Sequence, residues 1–557
     1  MMSQDADLVI INAKVATVDK NFSFYEAIAI AKERIIAVGD NDDIFKKIGF
    51  HTQIIDAKNK LVLPAAHDAH IHATHTGMLI SGDFLNLFES KLKNEFESQL
   101  ETHLTAKKNR DWIYGIGCPF ELLDDNDEKI AVNQAYLSQK TNGKLASFSD
   151  FSLHNLIVNQ EVIELSGLNS KSIELPKEVG RIGIDQQGEP NGIISEWGAM
   201  NLVGKYLPQL SDEELKNYIL LIQYHLLQNG ITSYTDILGP GGDNLFHGAW
   251  SSRVIKLYKA LYDENKLLTR VSVNLFAAKE GVHSFKNIIS GAEAFSYPLH
   301  TDKSWLKVDT IKLFGDSSPC IRRSCNGYQG ELTFAGHSVE EQIAELNKTI
   351  VELHRLGWQV GIHAIGGKTI DAAIDAFSYA EKVMPNKDLR HFIIHGDDLT
   401  IENAKTMAKN NILLSCQPIA GYSMINDIKQ IIPDEYNAKL FDWQSYINEG
   451  VVVAAGSDAC CFSFNWLKGL EFTLTRKAKN NQIYQSDLGC KIEDAIRMYT
   501  INGAIQEHLE HERGSIEVGK LADLQILSHD LFTIPAEQIG KTNVIMTICN
   551  GKVVYQR

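Results

Sequence analysis

Two histidines one residue apart, in Asp68-Ala69-His70-Ile71-His72, sit at the end of a β-like stretch. On a strand, period-two alternation turns His70 and His72 to one side, where two imidazoles can hold one ion. Alone, such a pair is more often a hydrogen-bonded surface or core feature. Three later apolar runs end in the same fashion: His363 closes Gln359-Val360-Gly361-Ile362, His395 closes Phe392-Ile393-Ile394, and Asp458 follows Val451-Val452-Val453-Ala454-Ala455-Gly456-Ser457. An imidazole or carboxylate buried behind such a run is costly unless paired or coordinated, and four strand ends of this kind point to a shared cation. Lys312, within Asp309-Thr310-Ile311-Lys312-Leu313-Phe314, brings an ammonium that would be unfavourable among cations unless carbamylation made it an anion. Imidazole and carboxylate donors make zinc the default divalent metal, with iron, manganese and nickel chemically acceptable.

The elements that must carry these residues alternate between strand and helix, which predicts a parallel sheet buried on both faces. Strand candidates fall at 62–72, 231–236, 269–276, 307–314, 358–363, 391–395, 411–416 and 451–457. Eight is the number that closes a (β/α)8 TIM-like barrel, whose active site forms at the C-terminal strand ends. Ser211 with Glu214, and Ser338 with Glu341, have capping-box spacing and open helices that run through Leu215, Tyr218, Ile219, Ile222 and Leu226, and through Ile343, Leu346, Ile350 and Leu353. The gap from about 80 to 210 is too long for a loop and reads as an inserted subdomain. Leu8–Val18, Ile28–Val38 and the last fifty residues, with the hairpin signal Asn550-Gly551, read as β structure. The expected organisation is a terminal β-sandwich from residues 1–60 and 501–557 around a barrel spanning 61–500.

The chain has 557 residues with 54 basic against 70 acidic, a net charge of −16, which opposes nucleic acid and anionic lipid as partners. The first residues, Met1-Met2-Ser3-Gln4-Asp5-Ala6-Asp7, carry acid where an export signal carries base, and no apolar run reaches the length of a spanning helix. Eight cysteines with no Cys-x-x-Cys pair fit a reducing cytoplasm. The adjacent Cys460 and Cys461 read as small apolar residues rather than a redox pair.

Several stretches together carry a resemblance: Leu63-Pro64-Ala65-Ala66-His67-Asp68-Ala69-His70-Ile71-His72, Gly192-Ile193-Ile194-Ser195-Glu196, Ile311-Lys312-Leu313-Phe314-Gly315-Asp316, Ile362-His363-Ala364-Ile365-Gly366, Gly456-Ser457-Asp458, and Gly514-Ser515-Ile516-Glu517-Val518-Gly519-Lys520-Leu521-Ala522-Asp523. The chain resembles the amidohydrolase superfamily, in its amidohydrolase-3 branch, and is similar to N-substituted formamide deformylases. The resemblance implies a distorted barrel of a metal-dependent hydrolase acting on a small molecule through a C–N bond outside peptides. It puts His70, His72 and Asp458 on one metal, His363 and His395 on a second, and a carboxylated Lys312 between them, with Asp458 also carrying the proton. His154, in Ser149-Asp150-Phe151-Ser152-Leu153-His154, resembles a branch histidine that hydrogen-bonds substrate, against the alternative of a structural hydrogen bonder. Glu196 either reaches the site as an acid, holds the leaving amine, or only salt-bridges a basic neighbour. Arg322 and Arg323 are either carboxylate readers or solvated surface. A homodimer is the expectation because relatives often pair.

The chain departs from the branch pattern at Pro64-Ala65-Ala66, Asp316-Ser317, Gly366-Gly367 and Ile394, the last two removing carboxylates that would support loops or orient imidazoles. Two other functions remain open at this point: a single-metal hydrolytic deaminase of a heterocycle, and a catalytically eroded relative kept for binding.

Overall fold

The computed structural model describes residues 5–108, 110–168, 174–295, 299–316, 322–324, 327–329, 332–385, 388–431 and 439–557. Eight strands form one sheet in chain order: β1 (Ala66–Ile71), β2 (Ile231–Leu238), β3 (Arg270–Phe276), β4 (Leu306–Phe314), β5 (Gln359–Ala364), β6 (Phe392–His395), β7 (Leu413–Cys416) and β8 (Val453–Ala455). Every neighbouring pair from β1 to β8 is parallel. β1, β2 and β3 are buried along their whole length, as strands covered on both faces must be.

Closure from β8 back to β1 runs through the segment that follows β8. The Asp458 N–H donates to the His70 carbonyl at 2.7 Å, and the Ser457 N–H donates to the Asp68 carboxylate at 2.8 Å. Gly456 permits this approach, because a Cβ there would lie 2.5 Å from the His70 nitrogen. This nearly closed, distorted barrel is the predicted α/β architecture.

The stretch 62–72, expected as one strand, is two. Leu61–Pro64 belongs to a terminal sheet, and β1 begins at Ala66 in the barrel. The chain passes between sheets at Ala65, whose N–H donates to the Asp523 carbonyl at 2.9 Å. Apolar residues on both sides of that step hide it from any periodicity.

Helix α1 (Ala73–Ile80) follows β1, and α2 (Asp212–Gln228) precedes β2. Ser211 and Glu214 form the full capping box at the start of α2. The two helices meet where α1 has Gly77, since a Cβ there would strike the Tyr218 carbonyl at 2.2 Å. In α3 (Val339–Leu356), Ser338 accepts from the Glu341 N–H as expected, but the Glu341 carboxylate reaches one residue further back, to the His337 N–H at 2.8 Å.

Between α1 and α2 the chain builds a six-stranded sheet in the order Arg181–Ile184, Pro190–Ser195, Asn155–Val158, Leu145–Ser149, Trp112–Ile116 and Leu85–Asn86. It has its own apolar core, including Phe96, Ile113, Leu137 and Phe148.

The two termini share a sandwich. Leu61–Pro64 pairs antiparallel with Leu524–Leu527, and Leu8, Ile10, Ile28, Val62, Leu524 and Ile548 fill the space between its sheets. The stretch Gly514–Asp523 stitches them: the N–H groups of Ile516, Gly519 and Ala522 donate to the carbonyls of Thr17, Ile35 and Glu33. Asp523 then receives the guanidinium of buried Arg270 in β3 through two bonds of 2.6 and 3.1 Å. Among the described residues no helix is long and apolar enough to cross a membrane.

Below the strands, buried polar side chains plug the barrel. His67 Nδ1 meets Ser233 Oγ at 2.9 Å, while Glu507 accepts from Thr235 Oγ1 at 2.5 Å and pairs with Arg513. Burial pushes the His67 imidazole down to about 4 from 6.5, with Glu507 opposing. At mildly acidic pH the unfolded chain takes up a proton that folded His67 refuses. The stability tied to neutral His67 is therefore whole above pH 6.5 and drains as pH falls toward 4. Urea unfolding at about pH 7 and pH 5 should show wild type losing about 2 kcal/mol more than His67→Gln across that interval; equal losses would remove His67 from the account.

Candidate metal centre

The C-terminal ends of β1, β4, β5 and β6 and the segment after β8 bring His70, His72, Lys312, His363, His395 and Asp458 to one place. His70 Nε2 and His72 Nε2 lie 3.4 and 3.2 Å from Asp458 Oδ1. Donor atoms of these three residues all lie within 4.8 Å of one another, a spacing one cation can span. The His70 ring centre is 5.5 Å from that of His72 and 5.6 Å from that of His395, and His395 is 4.5 Å from His363. Lys312 is fully buried, and its Nζ has no hydrogen-bond partner.

Several devices hold these groups. Asp458 and His395 have φ of 56° and 73°; left-handed backbone is unfavourable for side chains other than glycine, and the surrounding bonds must sustain it. The segment after β8 is fixed on both sides: Asp458 N–H bonds the His70 carbonyl, and His72 N–H bonds the Ala459 carbonyl at 2.6 Å. Asp68 accepts from the N–H groups of His70 and Ser457 at 3.2 and 2.8 Å. His72 stacks on Trp250, with centres 4.4 Å apart.

The electrostatics match a donor set. Burial, reinforced by Lys312, pushes His70 down to about 3. Burial also drives His363 and His395 well below the ordinary imidazole range, leaving neutral rings with lone pairs to offer. Burial alone would raise Asp458, but hydrogen bonds from His70 and His72 hold its carboxyl well below the usual range. Lys312 is lowered by burial to about 7.

The positions that lack the branch's carboxylates have other supports. Asp316 Oδ1 lies 3.3 Å from His363 Nε2, while the same carboxylate accepts from the Gly366 N–H at 2.8 Å. His395 Nδ1–H donates to Gln417 Oε1 at 2.8 Å. Ile394 instead packs with Phe392, Leu413 and Val452, in apolar surroundings, and the Gly367 N–H is taken by Asp398 at 2.9 Å. Sequence reasoning missed both supports. Gln417 directly follows β7 and Asp316 lies two residues beyond β4, so inspecting those strand ends for amides and carboxylates as supports, and not only for ligands, would have found both.

The inserted sheet delivers two further predicted residues. His154 immediately precedes the strand Asn155–Val158 and Glu196 follows Pro190–Ser195; these strands pair, and the Glu196 N–H donates to the His154 carbonyl at 2.8 Å. His154 Nδ1 lies 3.3 Å from both Glu196 carboxylate oxygens, and its ring centre is 5.4 Å from that of His363. Arg322 and Arg323 lie on a short strand, but their side chains are outside the described residues.

The profile of the Amidohydrolase family matches residues 53–555. An N-substituted formamide deformylase of Arthrobacter pascens is 23% identical over 569 residues, spanning 100% of this chain and 99% of its own. Protein LONG AFTER FAR-RED 3 of Arabidopsis thaliana is 24% identical over 568 residues, spanning 99% and 92%. Among solved structures, an uncharacterized metal-dependent hydrolase from Pyrococcus horikoshii shares the fold, with a TM-score of 0.70, 19% identity, and coverage of 95% of this chain and 99% of that one.

The Nε2 atoms of buried His70 and His72 gathered around Asp458 Oδ1, the partnerless Lys312 Nζ and the neutral His70 ring suit a divalent cation. Gln417→Leu removes the bond that orients His395. It should weaken zinc binding by about 10- to 100-fold in a competition titration against a chelator, with the thermal unfolding midpoint in chelator nearly unchanged. Unaltered affinity would show that Gln417 does not orient a ligand.

Proposed function

The chain belongs to the amidohydrolase family, metal-dependent hydrolases of C–N bonds, and from that premise we propose that it hydrolyses an N-substituted amide or formamide of a small molecule. The observation that carries this reading is the convergence of four imidazoles, Asp458 and Lys312 at one end of the barrel. His70, His72 and Asp458 would hold one zinc ion, His363 and His395 a second, with Lys312 as a carboxylated bridge. Bound there, the metal would supply Lewis acidity to the scissile carbonyl and to water.

The remaining chemistry belongs to the chain's own groups. Asp458, held as a carboxylate by its imidazole neighbours, accepts the proton from the attacking water and returns it to the nitrogen of the departing amine. Carboxylation of Lys312 joins its amine nitrogen to the carbon of CO₂ and releases a proton, giving the buried Nζ an anionic end in place of an unpaired one. Glu196 engages His154 Nδ1, which leaves Nε2 of that ring to hydrogen-bond substrate beside His363. The burial of His70, His72 and Lys312 keeps bulk water from competing at the reacting carbonyl.

A one-ion alternative, hydrolytic deamination of a heterocycle, is favoured by the compactness of the His70, His72 and Asp458 group taken alone. Elemental mass spectrometry on protein prepared with zinc and bicarbonate separates the two. About two equivalents per chain, falling to about one or fewer in Lys312→Ala, are expected. One equivalent in wild type, unchanged by Lys312→Ala, would favour the deaminase; none would end the enzyme mechanism proposed here. On a panel of N-substituted formamides and amides, Asp458→Asn should lower kcat by about 10²- to 10⁴-fold, and retained turnover would remove Asp458 from the proton path.

A further inference from the structure

His363 has the Asp316 carboxylate beside it and His395 Nδ1 bonds Gln417, but the buried Nδ1 of His72 has no hydrogen-bond partner. The His72 ring is braced instead by its stack on Trp250, with the planes 9° apart, and by the backbone on which it stands. That backbone is bonded on every side. The His72 N–H donates to the Ala459 carbonyl, the His72 carbonyl accepts from Thr76 N–H and Thr76 Oγ1, both at 2.8 Å, and the next N–H, that of Ala73, donates to Asp236 Oδ1 at 3.1 Å. His72 is the capping residue of α1, and its side chain makes no cap bond. A capping side chain normally accepts from the first free N–H groups of its helix. Here the imidazole is turned to Asp458, and a carboxylate from the neighbouring strand β2 stands at the helix start, where negative charge is favoured.

Asp236 is buried, and its bonds come from neutral donors: the N–H groups of Ala73 and Ile237 on Oδ1, the latter at 2.9 Å, and the Tyr258 hydroxyl on Oδ2 at 2.8 Å. The direction of these bonds is set from behind. Leu268 N–H donates to Gln223 Oε1 at 3.1 Å, which turns the amide nitrogen of Gln223 toward Tyr234. Gln223 Nε2 then donates to the Tyr234 hydroxyl and Tyr234 to the Tyr258 hydroxyl, each at 3.0 Å. Every hydroxyl in the row donates forward, so the row must end on a group that accepts, and an ionised carboxylate only accepts. The row starts on α2, passes through β2 and the helix Ser252–Asp263, and ends behind His72. Trp250 lies two residues before that helix, so the connection after β2 supports both the ring of His72 and, through Tyr258, its backbone.

We propose that Asp236, backed by Tyr258, is a positioning residue for His72, fixing the turn from which that imidazole reaches Asp458. Serine or asparagine caps a helix as well as aspartate does, and a buried carboxylate served by neutral donors is costly, so capping alone leaves the charge unexplained. A negative charge behind a ligand of a divalent cation explains it: the cation supplies the opposite charge that the carboxylate otherwise lacks. The imidazole needs to be held while one nitrogen is presented, and with Nδ1 unbonded the holding falls to the ring stack and to this turn.

The effect on zinc rests on the metal reading above; the placement of the ring does not. The test compares full-length wild type with Asp236→Asn and with Tyr258→Phe, which keeps its ring, loses only the hydroxyl and stays folded should Asp236→Asn not. In metal-free protein, hydrogen exchange reports the Ala73 amide, and carbon-13 labelling of histidine reports the His72 ring, whose signal is identified by its loss in His72→Gln and displaced by the Trp250 stack. A competition titration against a chelator then reports zinc affinity. Expected in both variants are Ala73 exchange faster by about 5-fold or more, a shifted His72 ring signal, and zinc affinity lower by about 10- to 100-fold. Faster exchange with an unmoved ring signal and unchanged zinc affinity would make Asp236 a helix cap only and overturn the proposal, as would Ala73 exchange equal to that of wild type. Should wild type hold no zinc, the metal reading falls, while the exchange and ring signals still decide whether Asp236 positions His72.

Discussion

Two backbone hydrogen bonds, Asp458 N–H to the His70 carbonyl and His72 N–H to the Ala459 carbonyl, hold together the first and last parts of the barrel. They close the gap between β8 and β1, and they put the Asp458 carboxylate within 3.4 Å of both imidazoles. Barrel closure and donor geometry are thus one constraint. Anything that loosens the segment after β8 opens the sheet and separates the donors together, because a backbone held at a left-handed φ has little stability of its own.

The opposite end of the barrel meets a different physical demand. Arg270, Lys307, Glu507, Arg513 and Asp523 are buried there, and burying a charge is expensive unless it is paired. Arg270 meets Asp523 with two bonds, Lys307 Nζ donates to the Glu507 carbonyl at 2.5 Å, and Arg513 pairs with Glu507. Three of these five residues, Glu507, Arg513 and Asp523, come from the C-terminal stretch. The sandwich is therefore the source of the counter-charges that let the barrel base be buried, besides being a separate apolar core.

The imidazoles rest on groups other than the carboxylates that the resemblance leads one to expect. With Ile394 and Gly367 in place of acidic residues, His363 is accompanied by Asp316 and His395 by Gln417. An imidazole needs one nitrogen held so that the other is presented, and which residue does the holding is free to change. The inserted sheet is likewise more than decoration: pairing of Asn155 with Ser195 is what sets His154 beside Glu196 and near His363.

What the sequence determined by itself was whatever is written locally: the eight strand runs, the cap at Ser211, the hairpin turn at Asn550-Gly551 with φ of 53° and 74°, and the histidines, lysine and aspartate at strand ends. Polar residues after apolar runs are legible because burial penalises them wherever the chain goes. Only the tertiary structure decided that Leu61–Pro64 and Ala66–Ile71 part into different sheets, that Asp316 and Gln417 support the imidazoles, and that Asp523 answers Arg270 from 253 residues away. Those pairings join strands distant in the chain, and periodicity records which side a residue faces but carries no information about which strand lies opposite.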